Sequence, residues 1–522
     1  MKKLTKIYKG FLYVLPLALC FSYFPVISFG ENETMNFELS LSLIWLALFD
    51  VLAFVMICQK YRARIFSKVF GNILWWLFPL FATFSVAWSL NPLRGILTVG
   101  VMWLLFFAVI GFWELKENLD TKFWKIFWRW FFGSFLLVCL WCVIQCVLDI
   151  VGVSQDITLL CDGCVYRMFG FPHPNGFSIE PQFMGNLLLA PIMVVAGFCQ
   201  FSGRVAAARR HGGGALILAL PRSGVPQIRQ KTSFLLFFIF SATLFLTLSR
   251  GAIYACVVGL LFMFFFSYFR AEKTERKNVC FSILKTLGIF LVSFLFTLNL
   301  QGILAASSPT SDTYMDGVGK VLEQLSLGVI KIRGDEKVDN EVVVEKSHEP
   351  VENSSASGVK VGFAVGSGEK LDDDSASDVT EGAVFDGYVA ESTNTRLRLA
   401  KAALEIWRKD FETALVGVGI GGAGQALYDN GLSPAPKEIV QNEYASLLLE
   451  TGLIGVFLFV ILVVMTVKTI LKNREVSGMV LSLVVAYGVT LIFFSGIPNA
   501  LQIVIMPGIL VLVGKTDEYL GC

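Results

Sequence analysis

Long apolar runs recur along this 522-residue chain and constrain its fold more than any other feature. They are roughly 18–22 residues long, the length at which a helix crosses about 30 Å of hydrocarbon. Charged residues make up only 16% of the sequence and hydrophobic residues 55%, whereas a soluble domain averages about 25% charged residues. The pattern predicts an all-α polytopic membrane protein.

We predict about twelve transmembrane helices, at 10–29, 40–58, 69–90, 95–113, 130–150, 182–201, 232–249, 251–269, 281–304, 448–467, 477–496 and 500–514. We interpret the first as an uncleaved helix, because its apolar stretch is longer than a signal core and no small-x-small cleavage site follows it. The domains expected are a bundle of nine spans in 1–304, an acidic insertion in 305–392, a loop with helices in 393–447 and three spans in 448–522.

The distribution of basic residues orients these spans. With a cytoplasmic N-terminus, 26 Lys and Arg residues fall on the inside segments, and three arginines fall on the short outside loops. Because Lys and Arg are enriched on the cytoplasmic side, both termini are predicted to be cytoplasmic. One long loop is then extracytoplasmic, and the span interiors carry few charges, with Asp50 and Lys285 near span ends.

The long loop has two parts of different character. Residues 308–392 are acidic and rich in Ser and Gly, a composition that cannot bury enough apolar area to offset its ordering entropy. We expect a mostly disordered spacer there. The next stretch, "STNTRLRLAKAALEIWRKDF", has the spacing of an amphipathic helix. Its predicted apolar face consists of Leu397, Ala400, Leu404 and Trp407. The residues that can cap its N-terminus are Ser392, Thr393 and Asn394.

The three outside arginines are Arg94, Arg167 and Arg250, and no lysine accompanies them on the short loops. A planar guanidinium grips phosphate or carboxylate with paired hydrogen bonds, which an ammonium group cannot do. Each arginine could alternatively serve as a topological or headgroup anchor.

Two glutamates, Glu443 and Glu450, are seven residues apart and would share one helix face, two turns apart. Acids at the membrane are costly unless paired, so both are functional candidates with an arginine as partner. A further acid, Glu180, also lies near the membrane. His173 in "PHPN" is a third candidate for chemistry, although a lone histidine more often has a structural role.

Five motifs, in order along spans 3 to 10, together resemble the bacterial O-antigen ligase/polymerase family. They are the "WS-x-NP" turn, "RMFGFPHPNGFS", "TLSRGA", "TRLRLAKAALEIWRKDFETALVGVGIGG" and "QNEYASLLLETGLIG". The acidic insertion has no counterpart in the usual pattern of that family.

The resemblance implies a membrane glycosyltransferase of GT-C-like architecture in the bacterial inner membrane, acting in surface polysaccharide assembly. Such enzymes take a glycan from undecaprenyl diphosphate on the outer face and pass it to a glycan, lipid or protein hydroxyl, without cofactor or metal. Arginines would then bind the diphosphate, and Gly251 would allow a close approach to it. The candidates for substrate binding are Arg167, Arg250, Arg396 and Arg398, with Arg94 and Arg408 as further members.

One position departs from the family pattern. Where the family has a loop histidine that is often cast as the base, this chain has Gln441, which cannot accept a proton at physiological pH but can orient a hydroxyl. Glu443, Glu450 or His173 could act as the base, acceptor activation could need no side-chain base, or this member could be inactive.

Three other functions are alternatives to glycan transfer. A transporter or flippase for lipid-linked glycans would show internal repeats or charges within spans, and neither stands out in the sequence. A cell-wall polymerase and a non-catalytic scaffold also remain open, and nothing suggests a nucleic-acid partner. The sequence does not distinguish a polymerase from a ligase or a protein glycosyltransferase, nor does it give the sugar.

Overall fold

The structure is a computed structural model. It describes residues 2–22, 25–32, 35–62, 72–151, 173–178, 180–210, 230–307, 313–327, 329–330, 388–436, 438–473, 476–494 and 501–513. Arg167 and residues 331–387 of the acidic insertion lie outside the described residues.

The described residues are predominantly helical. The helices are α1 (Lys2–Cys20), α2 (Leu41–Tyr61), α3 (Leu77–Ser85), α4 (Pro92–Glu114), α5 (Thr121–Ile150), α6 (Pro181–Arg210), α7 (Gln230–Leu246), α8 (Arg250–Arg270), α9 (Arg276–Ala306), α10 (Tyr314–Leu325), α11 (Tyr388–Trp407), α12 (Phe411–Val416), α13 (Ala423–Asp429), α14 (Glu443–Leu471), α15 (Ser477–Phe493) and α16 (Leu501–Leu510). Short 3-10 turns occupy Ile73–Trp75, Val86–Trp88 and Lys116–Asn118, and strands β1 (Pro25–Asn32) and β2 (Met35–Ser40) pair as an antiparallel hairpin.

Seven helices of the described part are long and apolar enough to cross a membrane: α2, α4, α5, α6, α8, α9 and α14. They coincide with seven of the predicted spans. Four more predicted spans correspond to shorter apolar helices, at Leu77–Trp88, Gln230–Leu246, Ser477–Phe493 and Leu501–Leu510. The all-α polytopic class therefore holds.

Helix α6 lies at the centre of the bundle. In its membrane-length stretch 83% of the residues are buried, against 22% in the corresponding stretches of α9 and α14. Helices α7, α8, α9 and α15 pack around α6. The outer helices expose large apolar side chains such as Phe281, Leu284 and Phe457, as expected of surfaces that face lipid.

The first predicted span is wrong at its C-terminal end. Helix α1 ends at Cys20, and residues 25–29, predicted as helix, belong to β1. Pro25 has no backbone N–H to continue a helix, and the apolar stretch that follows it pairs with β2 instead.

The position expected for Asp50 is also wrong. It lies in the middle of α2 and not near a span end, and both of its carboxylate oxygens are buried without a hydrogen-bond partner among the described residues. Lys285 lies in α9 with its ammonium group 4.3 Å from the ring centroid of Phe281.

The segment between α9 and α11 contains more helix than expected. Residues Tyr314–Leu325, predicted to be disordered, form α10, whose start is closed by a capping box between Thr313 and Asp316. Val321 of α10 packs against Leu304 and Ala305 of α9. A reciprocal cap and a buried apolar contact are enough to order this short segment.

Helix α11 begins earlier than expected and is rotated relative to the prediction. It starts at Tyr388, so the predicted caps, residues 392–394, lie inside it. Leu397 and Leu404 are exposed, whereas Ala400 and Trp407 are partly buried. The buried face consists of Leu399, Ala402, Ala403 and Ile406.

Candidate functional site

A glycine-rich segment, residues 417–424, docks the long loop onto the membrane bundle. Its backbone is threaded between the α3–α4 turn and α14. Ser89 Oγ donates to the carbonyl of Ile420 over 2.8 Å, and Leu90 N donates to Val418 O over 3.2 Å. On the other side, Val418 N donates to Leu449 O over 2.9 Å. The "WS-x-NP" turn, the "GVG" segment and the "LLLETG" stretch therefore form one structural unit.

Two positions of this segment require glycine, because the backbone has a positive φ and because there is no room for a Cβ atom. Gly419 has a φ of +82°, and a Cβ on it would lie 2.4 Å from Ser89 Cα. Gly421 has a φ of +80°, and its Cβ would lie 2.5 Å from the backbone nitrogen of Gly95. Any side chain would strain the backbone and push the loop away from the bundle.

Glu450 and Arg94 both lie against the glycine-rich segment. Ala423 N donates to Glu450 Oε1 over 3.3 Å, and the backbone N–H of Gly421 also donates to this carboxylate. Arg94 interacts electrostatically with Glu450, and its Nη1 lies 3.1 Å from where a Cβ on Gly424 would be. Glu450 thus has a clear structural role, since its carboxylate accepts backbone hydrogen bonds from the docked loop.

A second polar group, the arginine cluster, consists of Gln182, Arg250, Thr393, Arg396 and the carbonyl of Phe493. Arg396 Nη1 donates to Phe493 O and its Nη2 donates to Gln182 Oε1, both over 3.2 Å. Gln182 Nε2 donates to the same carbonyl over 3.0 Å. The last carbonyls of a helix lack intrahelical partners, and Arg396 satisfies one of them at the end of α15.

Arg250 enters the arginine cluster from the start of α8. Its Nη1 donates to Thr393 Oγ1 over 3.2 Å. Gly251 lies against α15, where an added Cβ would be 3.1 Å from the Cβ of Phe493. The preceding turn is strained, because the buried Leu248 has a φ of +49°. Such conformations persist only where the surroundings impose them, and they often occur at functional sites.

Glu180, which precedes α6, adds an acid near this cluster. Burial raises the pKa of Glu180 above its ordinary value, while the positive charge of Arg396 acts in the opposite direction. The two side chains are thus within electrostatic range. A carboxyl group whose pKa is perturbed by burial and by a neighbouring charge is common at functional sites.

Gln441, Asn442 and Glu443 lie next to the arginine cluster at the start of α14. Asn442 caps α14 by accepting from Ala445 N over 3.0 Å, and its Nδ2 donates to Ile492 O over 3.0 Å. This carbonyl adjoins the Phe493 carbonyl that Arg396 binds. Gln441 is held at a φ of +56°, which is uncommon for a residue other than glycine. Glu443 interacts electrostatically with Glu450.

His173 is 5% exposed and belongs to a short segment anchored by α5. Gln145 of α5 donates to Asn175 Oδ1 over 2.8 Å and accepts from Gly176 N over 2.9 Å. Burial lowers the pKa of His173 to about 3. An imidazole of this kind is neutral at pH 7 and a weak base, so its surroundings favour a structural role.

The remaining arginine candidates differ in position. Arg398 is exposed on α11, two residues beyond Arg396. Arg408 follows the C-terminus of α11 and lies 3.9 Å from Glu405, with both side chains largely exposed. The structure thus places Arg250 and Arg396 in one cluster at α11, places Arg94 and Glu450 against the glycine-rich segment, and leaves Arg398 and Arg408 outside both groups.

The sequence pattern assigned no role to Gln182 or Asn442, and it gave Thr393 only a predicted capping role. Asn442 lies within a quoted motif, and Gln182 and Thr393 lie close to one. The signal in the sequence that could have indicated them was the excess of uncharged polar residues at predicted span ends. What could not be foreseen is that the carbonyls of Ile492 and Phe493 would bring two of these side chains to one place.

The fold and this arrangement define a polytopic helical membrane protein whose charged side chains gather where a long loop docks onto the bundle. Residues 235–460 match the family described as O-antigen ligase, and this match supports the O-antigen ligase/polymerase family that the motifs resemble. It also supports a membrane enzyme of glycan assembly, and together with the apolar helices it indicates a multi-pass protein of a bacterial inner membrane. No curated protein matches the chain.

Proposed function

We propose that this protein transfers a glycan from undecaprenyl diphosphate to an acceptor hydroxyl on the outer face of the cytoplasmic membrane. The observation that carries the proposal is that Arg250 hydrogen-bonds to Thr393, three residues before Arg396 on α11, while Arg396 binds the carbonyl of Phe493. In the proposed topology twelve spans place both termini in the cytoplasm. The long loop and the arginine cluster then face outward, where a polyprenyl diphosphate headgroup resides.

The reaction needs stabilisation of negative charge. The bond between the anomeric carbon and the diphosphate oxygen breaks, the acceptor oxygen bonds to that carbon, and the hydroxyl proton passes to a base. Polyprenyl diphosphate leaves with an added negative charge. Donors aimed in advance at this charge lower the barrier, and the fixed charges of Arg250 and Arg396 would supply them without a metal ion.

The two glutamates have different proposed roles. Glu450 already accepts backbone hydrogen bonds from the docked loop, so we assign it to holding the loop in place. Glu443 begins α14 next to the arginine cluster and is the proposed general base. Gln441, in its strained conformation, would orient the acceptor hydroxyl by hydrogen bonding.

The test is transfer by the purified full-length protein in proteoliposomes, with a polyprenyl-diphosphate-linked repeat as donor. Arg250→Lys keeps the charge but loses the planar fork, so the rate should fall about 100-fold, the scale of losing one aimed donor. Arg398→Lys, on the exposed side of α11, is the matched control and should keep the rate. Near-normal transfer by Arg250→Lys would overturn the proposal.

The acceptor class can be found from the lipid-linked glycans of cells that lack the gene. Accumulated single repeats would indicate a polymerase, and accumulated long chains would indicate a ligase. An unchanged profile would argue against a role in glycan assembly.

A further inference from the structure

A groove lined by phenylalanines lies at the end of α8 opposite to Arg250. Its lining residues are Phe262, Phe265, Phe266, Phe269, Arg270 and Leu471, and its volume is about 540 Å³. Twenty residues of helix separate Arg250 from Arg270, which corresponds to about 30 Å. The groove therefore opens at the opposite membrane surface from the arginine cluster, between α8 and α14.

Beside the groove, α8 packs closely on α15. A Cβ on Gly478 would lie 3.1 Å from Cδ1 of Phe266, so glycine lets this ring rest on the first turn of α15. Phe265 and Phe269 are 60% and 72% exposed and stack on each other, with ring centroids 6.4 Å apart. The walls are thus apolar and open toward the lipid.

Arg270 is held at the mouth of the groove. Its Nη1 donates to Ser477 Oγ over 2.7 Å, and its guanidinium carbon lies 5.4 Å from the ring centroid of Phe266. A guanidinium has five N–H donors, and this is the one hydrogen bond it makes within the described residues. It is therefore fixed in position with donors to spare.

Further positive charge lies on the α14 side of the mouth. Lys468 and Lys472 flank Leu471 near the end of α14, and Lys468 lies one turn before it on the same side of the helix. The turn that follows α8 carries Lys273 together with two acids, Glu272 and Glu275. The acids lie on that turn, whereas the α14 side of the mouth is basic.

We propose that this groove binds one anionic phospholipid from the leaflet at that end of the bundle, with an acyl chain along the phenylalanines and the phosphate on Arg270. The apolar walls select a lipid, and the basic mouth selects a negative headgroup over a zwitterionic one. The site is independent of glycan transfer. The lipid would join α8 and α14, the two helices that carry Arg250 and Glu443 at their other ends.

The experiment is native mass spectrometry of the full-length protein, equilibrated with phosphatidylglycerol or phosphatidylcholine. The wild type should retain one phosphatidylglycerol, and Arg270→Gln should retain about tenfold less, the usual effect of one charge-assisted hydrogen bond. The exposed Lys277→Gln is the matched control and should behave as the wild type. Equal retention by Arg270→Gln, or equal retention of phosphatidylcholine by the wild type, would overturn the proposal.

A second variant guards against a folding defect in Arg270→Gln. Phe269→Ser changes a ring that is 72% exposed, so the fold should persist. It should weaken retention of long-chain phosphatidylglycerol while leaving a short-chain form unaffected. Preferential retention of undecaprenyl phosphate over phosphatidylglycerol would instead identify a donor-chain site and contradict the phospholipid assignment.

Discussion

The guanidinium of Arg250 donates a hydrogen bond to the hydroxyl of Thr393, 143 residues further along the chain. This contact joins the start of a membrane helix to the long loop. The guanidinium that we propose to bind the donor diphosphate is therefore held in place only when the loop is docked.

Thr393→Val removes this hydroxyl while keeping the shape of the side chain. Transfer should fall about tenfold, because a hydrogen bond to a charged group contributes about 1.5–3 kcal/mol. Thr393→Ser retains the hydroxyl and should keep most of the activity. Equal initial rates for the valine variant and the wild type in proteoliposomes would show that Thr393 does not position Arg250.

Glu443→Gln and Glu450→Gln should fail in different ways. Loss of a general base lowers the rate by 100-fold or more, so Glu443→Gln should lose about that much transfer with an unchanged melting temperature. Glu450→Gln replaces a carboxylate oxygen, which accepts backbone hydrogen bonds from the docked loop, with an amide nitrogen that cannot accept them, so its melting temperature should drop. The checks are initial rates and thermal melting in detergent. A stable, fully active Glu443→Gln would remove Glu443 as the base.

Gly419→Ala should undock the loop. The added methyl group would meet Ser89 and would also occupy a backbone conformation that costs an L-residue about 1–2 kcal/mol. Gly431→Ala is the matched control, because Gly431 has a φ of +67° but open space around it, so that only the backbone cost remains. Limited proteolysis should cut the loop much faster in Gly419→Ala. Equal cleavage of both variants would mean that the close contact is unimportant.

His173 should make stability depend on pH. Its pKa is about 3 in the folded protein and about 6.5 when unfolded, so between these values the unfolded state binds a proton that the folded state does not. The contribution of neutral His173 to the free energy of unfolding is therefore fully present above about pH 6.5. It decreases as the pH falls, by roughly 2 kcal/mol at pH 5. His173→Asn should lose this dependence, which melting temperatures at pH 7 and pH 5 would show. An unchanged dependence would mean that other groups cause it.

Hydropathy predicted the membrane helices well where the apolar run was uninterrupted. The span predicted at 40–58 is the helix Leu41–Tyr61, and that predicted at 95–113 is Pro92–Glu114. Hydropathy wrongly predicted a helix beyond Cys20, because an apolar stretch that follows a proline can form a strand as easily as a helix.

The orientation of α11 could not be predicted from the size of its apolar residues. The helical spacing favoured Leu397 and Leu404, but the contact with the loop uses Ala402 and Ala403. Small side chains permit close helix packing, which a count of bulky residues does not detect. The same rotation decides that Arg396, and not Arg398, enters the arginine cluster.

The most direct test of the account is the affinity of the full-length protein for undecaprenyl diphosphate without a glycan, measured for the wild type, Arg250→Lys and Arg398→Lys. If Arg250 holds the diphosphate, Arg250→Lys should bind about tenfold more weakly, and Arg398→Lys should bind as the wild type does. Equal affinity of all three proteins would contradict the central claim.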